Sequence, residues 1–516
     1  MNETTIIEKP LADSASLAEV PARLFAALNQ AGVRYCNWKS RIRIPEGLEG
    51  RTDLDLLVDP RDITAFQEIL LAHEVKHFRA APGKAYPGIE NYLGFDPGTG
   101  RLFHLHVHYQ LVLGEQYVKN YHLPIEQDFL NNTNLQCNVK IPRPEVELIV
   151  FVVRSLLKYR DRDGIKEIAR SILKRQKTGT GGFPAGVIRE ARWLLDLTSL
   201  QQVRDQLQQW QDFIPADVVI ELLQSLKNKT LTGSQILRLR KLLRNALLSH
   251  QRESRERVTL RYFREDWRRK RKIFKPRIQK KMTRPQGGMR IAFIGTDGAG
   301  KSTVIQQIQK WLSWRMSVRT YYMGKSRSLL ATQFAKRVTS LSRSVFSGCN
   351  RLFGKGSVIT HLARWNQRFW ENISFLAEGW ERNQQFQQSM LESEAGCIVL
   401  YDRYPLKDVR MFDRPVDGPR IATEWNGRAS GLERRLAGLE EGLYQQITVP
   451  DRIIALRVHP ETSRIRKPDH DYETIVQKAG AIDQAILTVP GLMVIQADAP
   501  IEQVVQQVKS IIWDCL

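Results

Sequence analysis

The spacing of apolar and polar residues divides the N-terminal half of the chain into two regions. Residues 17–31 have the three-to-four-residue apolar spacing of a helix, whereas residues 53–58 and 101–109 alternate as strands do. From Pro144 to about Leu260 the spacing predicts a series of helices. We therefore expect a mixed α+β segment followed by a helical one.

After residue 288 the pattern changes to short apolar runs that alternate with helical segments. The runs lie at 289–294, 318–323, 397–401, 452–458 and 492–495, and the helical segments at 302–313, 364–392 and 471–487. Short buried strands that alternate with helices are typical of a parallel sheet covered on both faces. The C-terminal part is predicted to be an α/β domain.

A glycine-rich motif, GTDGAGKST at residues 295–303, follows the first of these predicted strands and precedes a helix. It matches G-x-x-x-x-G-K-[ST] in full. Glycines let backbone N–H groups turn toward phosphate oxygens, and the helix N-terminus adds favourable partial charge. The motif predicts an ATP or GTP site formed by Gly295, Asp297, Gly298, Gly300, Lys301, Ser302 and Thr303.

Within this motif, Lys301 is expected to reach the β- and γ-phosphates and Ser302 to bind Mg²⁺. Besides this hydroxyl, such a site needs an acidic group for the metal's water shell, and this group commonly lies at the end of a neighbouring strand. Asp402 closes the apolar run 398–401 and is followed by Arg403. We expect Asp402 at the metal and Arg403 at a phosphate.

These residues carry a resemblance to a known family. Residues 289–510 resemble the thymidylate kinase branch of the P-loop nucleoside monophosphate kinases, through the loop motif, Asp402-Arg403-Tyr404, Arg382 twenty positions earlier, and a basic segment after a predicted strand. The resemblance implies ATP as phosphoryl donor and a P-loop kinase fold. It also implies Arg382 and Arg403 at the acceptor phosphate, Asp297 at the acceptor's sugar, and Arg464, Arg466 and Lys467 in a lid over ATP.

The activity implied is transfer of the γ-phosphoryl group of ATP, with Mg²⁺, to a phosphorylated acceptor. The acid-free stretch 310–370 is far longer than the acceptor segment of a free thymidylate kinase. Acceptors therefore include a nucleoside monophosphate and a phosphorylated sugar or glycan. One alternative function is that of an ATP-binding regulatory or scaffold protein at an anionic membrane or nucleic-acid surface.

The N-terminal segment has two aspartates, Asp53 and Asp55, on one face of a predicted strand. Nucleotidyltransferases use such a pair to hold two Mg²⁺ ions. With the turn at residues 37–40, the segment resembles the nucleotidyltransferase fold, and the pair becomes a second candidate metal site. Active nucleotidyl transfer through Asp53 and Asp55 is a second alternative function. A retained fold with inactive or altered chemistry also stays open, as does binding of phosphate or metal by His104, His106 and His108.

The charge is concentrated in two blocks. The chain has 78 Lys+Arg and 55 Asp+Glu, a net charge of +23, and nearly all of the excess lies in residues 252–290 and 298–370. Aromatic residues are interleaved with these cations, so the blocks predict an anionic partner. We expect peripheral contact with an anionic membrane ahead of nucleic acid, because no nucleic-acid-binding motif of defined spacing occurs.

The remaining features concern compartment and organisation. Five widely spaced cysteines predict neither disulfides nor a zinc site, and no signal peptide or apolar span occurs, which favours the cytoplasm or the inner face of its membrane. We predict a nucleotidyltransferase-like domain (16–140), a helical domain (141–250), a basic linker or helix (251–288) and a thymidylate-kinase-like P-loop domain (289–516).

Overall fold

The computed structural model describes residues 18–516 apart from 82–83, 116–117, 175–179, 271–280, 325–329, 355, 407–409, 412–413, 416–417, 423–429, 470 and 490. The chain divides into two compact units, Met1–Ile278 and Gln279–Leu516. Part of the first basic block, residues 271–280, lies outside the described residues. A search of the described helices finds none with the length and apolar character of a membrane span.

The N-terminal unit contains a five-stranded mixed sheet of β1 (Tyr35–Asn37), β2 (Asp53–Val58), β3 (Lys76–Phe78), β4 (Ile89–Asp96) and β5 (Arg101–His108). The strand order is β1-β2-β5-β4-β3; β2 and β5 run parallel, and the other pairs are antiparallel. This register sets Asp53 beside His104 and Asp55 beside His106.

Alternation along β2 determines which face of this sheet is the core. Leu54 and Leu56 are fully buried, and the two aspartates that alternate with them are only partly covered. Three helices accompany the sheet: α1 (Glu19–Gln30), α2 (Ile44–Leu48) and α3 (Ile63–Ala72). Side chains of all three helices join the leucines in one apolar cluster, so the carboxylates lie on the opposite face of β2.

Two hairpins and a set of helices complete the N-terminal unit. The hairpins are β6 (Leu111–Glu115) with β7 (Val118–Leu123), and β8 (Thr133–Gln136) with β9 (Val139–Pro142). The helices are α4 (Glu126–Asn131), α5 (Pro144–Lys158), α6 (Asp161–Lys174), α7 (Ala185–Asp196), α8 (Leu200–Gln209), α9 (Ala216–Lys227), α10 (Gly233–Ala246) and α11 (Arg255–Lys270). Helix α5 is buried along most of its length and forms the centre of this second core.

The C-terminal unit is built on a five-stranded parallel sheet, as its apolar runs predicted. Its strands are β10 (Met289–Gly295), β11 (Val318–Tyr322), β12 (Ile398–Asp402), β15 (Arg452–Arg457) and β16 (Leu492–Gln496), in the order β11-β12-β10-β15-β16. A short ladder, β13 (Arg410–Met411) with β14 (Arg414–Pro415), lies apart from it. All five main strands end at one edge of the sheet, which is where ligand sites of such folds form.

The described residues of this unit form the helices α12 (Lys301–Leu312), α13 (Leu330–Phe353), α14 (Val358–Glu394), α15 (Gly431–Gln445), α16 (Pro460–Arg466), α17 (Tyr472–Thr488) and α18 (Ile501–Cys515). The sequence predicted α12, α14 and α17 but not α13, α15, α16 or α18. Helix α13 was missed although apolar residues recur along it at helical spacing. The five cysteines, all within the described residues, form no disulfide.

Candidate functional site

The glycine-rich loop joins β10 to α12, and its backbone takes a path that side chains would obstruct. Gly298 has φ +91°, and a Cβ built there would lie 2.9 Å from the carbonyl oxygen of Ser463. Gly295 has φ +153°, and its Cβ would lie 2.7 Å from the carbonyl oxygen of Leu456. At both positions the φ angle would be strained for any other residue, and a backbone carbonyl lies close to where a side chain would begin. The loop therefore needs glycine there.

Lys301, the first residue of α12, folds back over this loop. Its Nζ donates to the carbonyl oxygens of Gly295 at 2.9 Å and Thr296 at 2.7 Å. The side chain is buried. Burial, and then the nearby Arg403 guanidinium, lower the pKa of Lys301 to about 8. The lysine is therefore held at the loop with a charge that an anion would stabilise.

Ser302, in the first turn of α12, and Asp402, the last residue of β12, meet at the sheet edge. Parallel pairing of β10 with β12 sets Asp402 beside Phe293 at the start of the loop. The Ser302 hydroxyl donates to Asp402 Oδ2 at 2.7 Å. The second oxygen, Oδ1, is buried and has no hydrogen-bond partner among the residues that the structure describes. A hydroxyl beside a carboxylate with a buried lone oxygen is a donor set that fits Mg²⁺.

A carboxylate inside the loop holds two cations from other elements. Asp297 Oδ1 accepts from Arg403 at 2.6 Å, and Oδ2 accepts from Lys478 of α17. Burial acts to raise the pKa of Asp297, but the hydrogen bond from Lys478 and the charge of Arg403 outweigh it and lower the pKa to about 2. Arg403 itself has a left-handed φ of +62°, so its placement costs backbone energy.

Lys478 is a site residue that the sequence did not reveal. It lies in α17, 181 positions from Asp297, and no local motif surrounds it. The only signal is a lysine within a helix that otherwise packs on the sheet, and such lysines are usually solvated.

Of the predicted lid residues, Arg464 and Arg466 belong to α16, which packs on the loop, and Lys467 directly follows it. Thr296 Oγ1 and Ser463 Oγ are hydrogen bonded at 2.9 Å. Arg466 donates to the Ala497 carbonyl at 2.9 Å, and it lies 3.5 Å from the Gly298 carbonyl. Arg464 is more exposed: it lies 5.4 Å from the Tyr472 ring and 3.9 Å from the Glu461 carboxylate. The structure thus brings Arg466 to the loop, and Arg464 lies on the outer side of α16.

Arg382 lies in α14, fully buried at the same sheet edge. Its Nε donates to the Met323 carbonyl at 2.7 Å, and its guanidinium also donates to the Tyr444 hydroxyl. The Met323 amide in turn donates to the Asp402 carbonyl at 2.9 Å. Arg382 is therefore linked through the backbone of Met323 to β12, the strand that ends at Asp402.

In the N-terminal unit the two aspartates face histidines across the β2–β5 pairing. Asp53 Oδ1 lies 2.9 Å from His104 Nδ1, and Asp55 Oδ1 lies 2.8 Å from His106 Nδ1. Lys39 Nζ also lies 2.7 Å from Asp55 Oδ1. Burial would raise the pKa of Asp55, but Lys39 and His106 hold it well below its usual range.

A cluster that could hold a metal ion includes only one of these aspartates. Ligand atoms of Asp55, His106 and His108 lie within 4.8 Å of one another. His108 also packs edge-on against Trp38, with ring centroids 5.1 Å apart. The structure therefore brings two of the three predicted histidines to Asp55 and places His104 with Asp53.

Several cationic side chains surround this cluster, and two of them, Lys119 and Arg154, could not be predicted from the sequence. Lys39 Nζ lies 4.7 Å from the Trp38 ring centroid, and the Arg154 guanidinium lies 5.9 Å from it. Burial, and then the charge of Lys39, lower the pKa of Lys119 to about 8. Lys119 and Arg154 come from β7 and α5, far from the aspartates in sequence, so no motif connects them.

Comparison with known proteins gives distant relatives of part of the chain. Two Escherichia coli (strain K12) proteins are similar to it. The uncharacterized ATP-binding protein YghR is 28% identical over 223 residues, which are 43% of this chain and 85% of the relative. The uncharacterized ATP-binding protein YghS is 28% identical over 227 residues, 42% of this chain and 89% of the relative. No protein-family model matches the chain.

Among solved structures, the deoxyadenosine kinase from M. mycoides with bound dATP covers 43% of this chain and 99% of its own. The sequence identity is 15% and the TM-score is 0.26, a likeness too distant to support an argument about function. The neighbour is a nucleoside kinase, and the sequence relatives are uncharacterized ATP-binding proteins.

Proposed function

We propose that the C-terminal unit is an ATP- and Mg²⁺-dependent phosphotransferase of the P-loop kinase class. The observation that carries the proposal is the contact between Ser302 and Asp402 at the end of the glycine-rich loop, with one Asp402 oxygen buried and lacking a described partner. A turn before a helix needs no such pair, whereas a site for a nucleotide and its metal does. The two E. coli relatives, both named as ATP-binding, agree with it.

The loop residues have distinct roles in this proposal. Backbone N–H groups around Gly298 and Gly300 bind the phosphates, and Thr303 follows at the start of α12. Lys301 leaves the carbonyls that it now contacts and bridges the β- and γ-phosphates. Ser302 and Asp402 would hold Mg²⁺, which supplies charge neutralisation at the phosphates.

The acceptor side is formed by the cations that Asp297 now holds. Arg403 and Lys478 donate to its carboxylate, and a phosphate on the acceptor offers the same kind of oxygen. Arg382 supports this edge through Met323. An acceptor that carries its own phosphate fits these cations; it is a nucleoside monophosphate or a phosphorylated sugar or glycan. From the lid, Arg466 and Arg464 neutralise charge on the transferring group.

The test uses γ-labelled ATP and a cell extract fractionated into nucleotides, lipids and nucleic acids. The full chain should label one fraction, and Lys301→Ala should reduce that labelling by about a hundredfold or more. Lys310→Ala is the matched control, because Lys310 is exposed on the same helix. Equal labelling by all three proteins would overturn the proposal. Tight ATP binding without transfer to any fraction would instead favour a regulatory or scaffold function.

A second candidate activity, nucleotidyl transfer, concerns the N-terminal unit. The cluster of Asp55, His106 and His108 favours it, since these groups can hold a metal ion. Lys39 competes for the same carboxylate oxygen, so the pair departs from two carboxylates that share two ions. The double variant Asp53→Asn, Asp55→Asn tests it: if every measured activity is retained, the unit does not use these residues for transfer.

A further inference from the structure

In the helix pair α13–α14, most of the buried side chains are small or polar and many of the large apolar side chains are exposed. Among the described side chains of α13, the buried ones are Thr332, Ala335, Thr339 and Ser342. In α14, the side chains buried between residues 358 and 384 are also small, polar or charged: Thr360, Asn372, Ser374, Glu378, Glu381, Arg382 and Asn383. A helix pair surrounded by water normally buries its apolar stripe instead.

Polar contacts hold the two helices together. Thr332 Oγ1 donates to Glu381 Oε2 at 2.7 Å, and Thr339 Oγ1 lies 2.9 Å from the Trp370 carbonyl oxygen. Lys336 Nζ lies 2.7 Å from Glu378 Oε1. Small residues that allow close approach, joined by side-chain hydrogen bonds, are the packing mode of helices in apolar surroundings. The pair therefore does not need an apolar interior to stay together.

Four large apolar side chains of α13 are exposed. Phe334, Leu341, Val345 and Leu352 are between 58% and 79% exposed. Their spacing of seven, four and seven residues returns to the same face of a helix each time. They form one continuous apolar stripe along the outside of the helix.

The first turns of α14 also carry exposed apolar side chains. Val358, Leu362 and Trp365 are 75%, 63% and 57% exposed, at spacings of four and three residues. With the α13 stripe they make up what we call the outer face of the hairpin. An exposed apolar stripe such as that of α13 marks an interaction site.

The charge around the outer face selects the partner. Residues 330–368 contain seven Lys/Arg and no Asp/Glu. A second copy of the chain would bring like charges together, which is unfavourable. Single-stranded nucleic acid would require aromatic side chains on which bases stack, whereas five of the seven outer-face residues are aliphatic. Aliphatic side chains beside arginines and lysines match acyl chains beside anionic headgroups.

We propose that the outer face of the α13–α14 hairpin docks on an anionic lipid bilayer. The leucines and valines enter the boundary between headgroups and acyl chains, and exposed arginines such as Arg337, Arg351 and Arg368 bind the headgroup phosphates. The hairpin lies on the surface and does not span it. This proposal does not depend on phosphoryl transfer.

The experiment is co-sedimentation of the full chain with phosphatidylcholine vesicles, with and without about one-third phosphatidylglycerol. Binding is expected only to the anionic vesicles. Leu352→Gln with Leu362→Gln should weaken it by at least about tenfold, because both side chains are largely exposed before binding and buried after it. Arg351→Gln with Arg368→Gln should weaken it by about fivefold for each arginine.

Matched controls use exposed residues elsewhere in the same unit. Leu487→Gln, at an 86% exposed leucine of α17, and Arg434→Gln, at an exposed arginine of α15, should bind as the unaltered chain does. Lys301→Ala should also keep vesicle binding, which separates this proposal from the kinase proposal. Circular dichroism of each variant checks that it is folded.

Four results would overturn the proposal. They are no binding to either vesicle, equal binding to both vesicles, unchanged binding by the two hairpin variants, and a dimer that the leucine variant dissociates without any vesicle binding. Binding of single-stranded DNA in place of vesicles, lost in the same variants, would assign the outer face to nucleic acid.

Discussion

The lowered pKa of Lys301 predicts that ATP binding weakens as the pH rises through about 8. The free protein holds this lysine buried at the loop, where burial and Arg403 lower its pKa to about 8. Only the protonated amine contributes charge to the ATP phosphates, and the bound polyphosphate keeps it protonated. Above that pKa, binding must therefore take up a proton, and the affinity falls with pH.

The magnitude follows from the protonated fraction. About three-quarters of the molecules carry the proton at about pH 7.5, and about one in eleven at about pH 9. Because the apparent Kd scales inversely with the competent fraction, the Kd for ATP should rise about eightfold between these two values. The terminal phosphate of ATP does not contribute, since phosphate monoesters lose their second proton near about pH 6.

Isothermal titration of the full chain with ATP and Mg²⁺ at a series of pH values measures this change. Repeating it in buffers of different ionisation enthalpy should show proton uptake that rises above about pH 8. Lys301→Arg is the control, because a guanidinium stays charged across the range, so its Kd should not change with pH. A flat profile in the unaltered chain, or an equally steep one in Lys301→Arg, would refute the assignment of Lys301 to the phosphates.

Three further predictions concern the same loop. Asp402→Asn should raise the Mg²⁺ concentration for half-maximal ADP formation by about 10- to 100-fold; an unchanged magnesium titration would remove Asp402 from the metal site. Gly298→Ala should lower the free energy of unfolding in urea by about 1–3 kcal/mol. Gly438→Ala is the control and should raise it slightly, because Gly438 lies in a helix and its new Cβ meets no neighbouring atom within 4 Å. Equal effects of the two substitutions would contradict the strain argument. Asp297→Asn should destabilise by about 1–3 kcal/mol in the same assay, because it leaves two partly buried cations without their carboxylate, and Asp483→Asn, from an exposed ion pair, should change it by less than about 1 kcal/mol.

The parallel sheet and the glycine-rich loop could be predicted because their signals are local. A continuous apolar run followed by glycines and a helix occupies a single segment, and backbone geometry links those residues directly. Lys478 could not be predicted in this way. Its contact with Asp297 depends on where α17 lies relative to the glycine-rich loop. The sequence around an isolated helical lysine does not indicate that position. The contacts of Arg382 with Met323 and Tyr444 could not be predicted either, because they depend on how α14 packs against residues far away in the sequence.

The two aspartates of β2 show how far a motif can determine chemistry. The alternation D-L-D fixes that both carboxylates leave the strand on one face, and the structure agrees. What the carboxylates do depends on the residues that face them, and strand register decides this. Parallel pairing of β2 with β5 brings His104 to Asp53 and His106 to Asp55, and Lys39 adds a cation to Asp55. A carboxylate already shared by a lysine and a histidine binds a metal ion only if it exchanges those contacts. Comparing nucleotidyl transfer by the unaltered chain and by the double asparagine variant therefore shows whether these carboxylates support the reaction despite their contacts with Lys39 and the histidines. The D-L-D motif alone does not reveal those contacts.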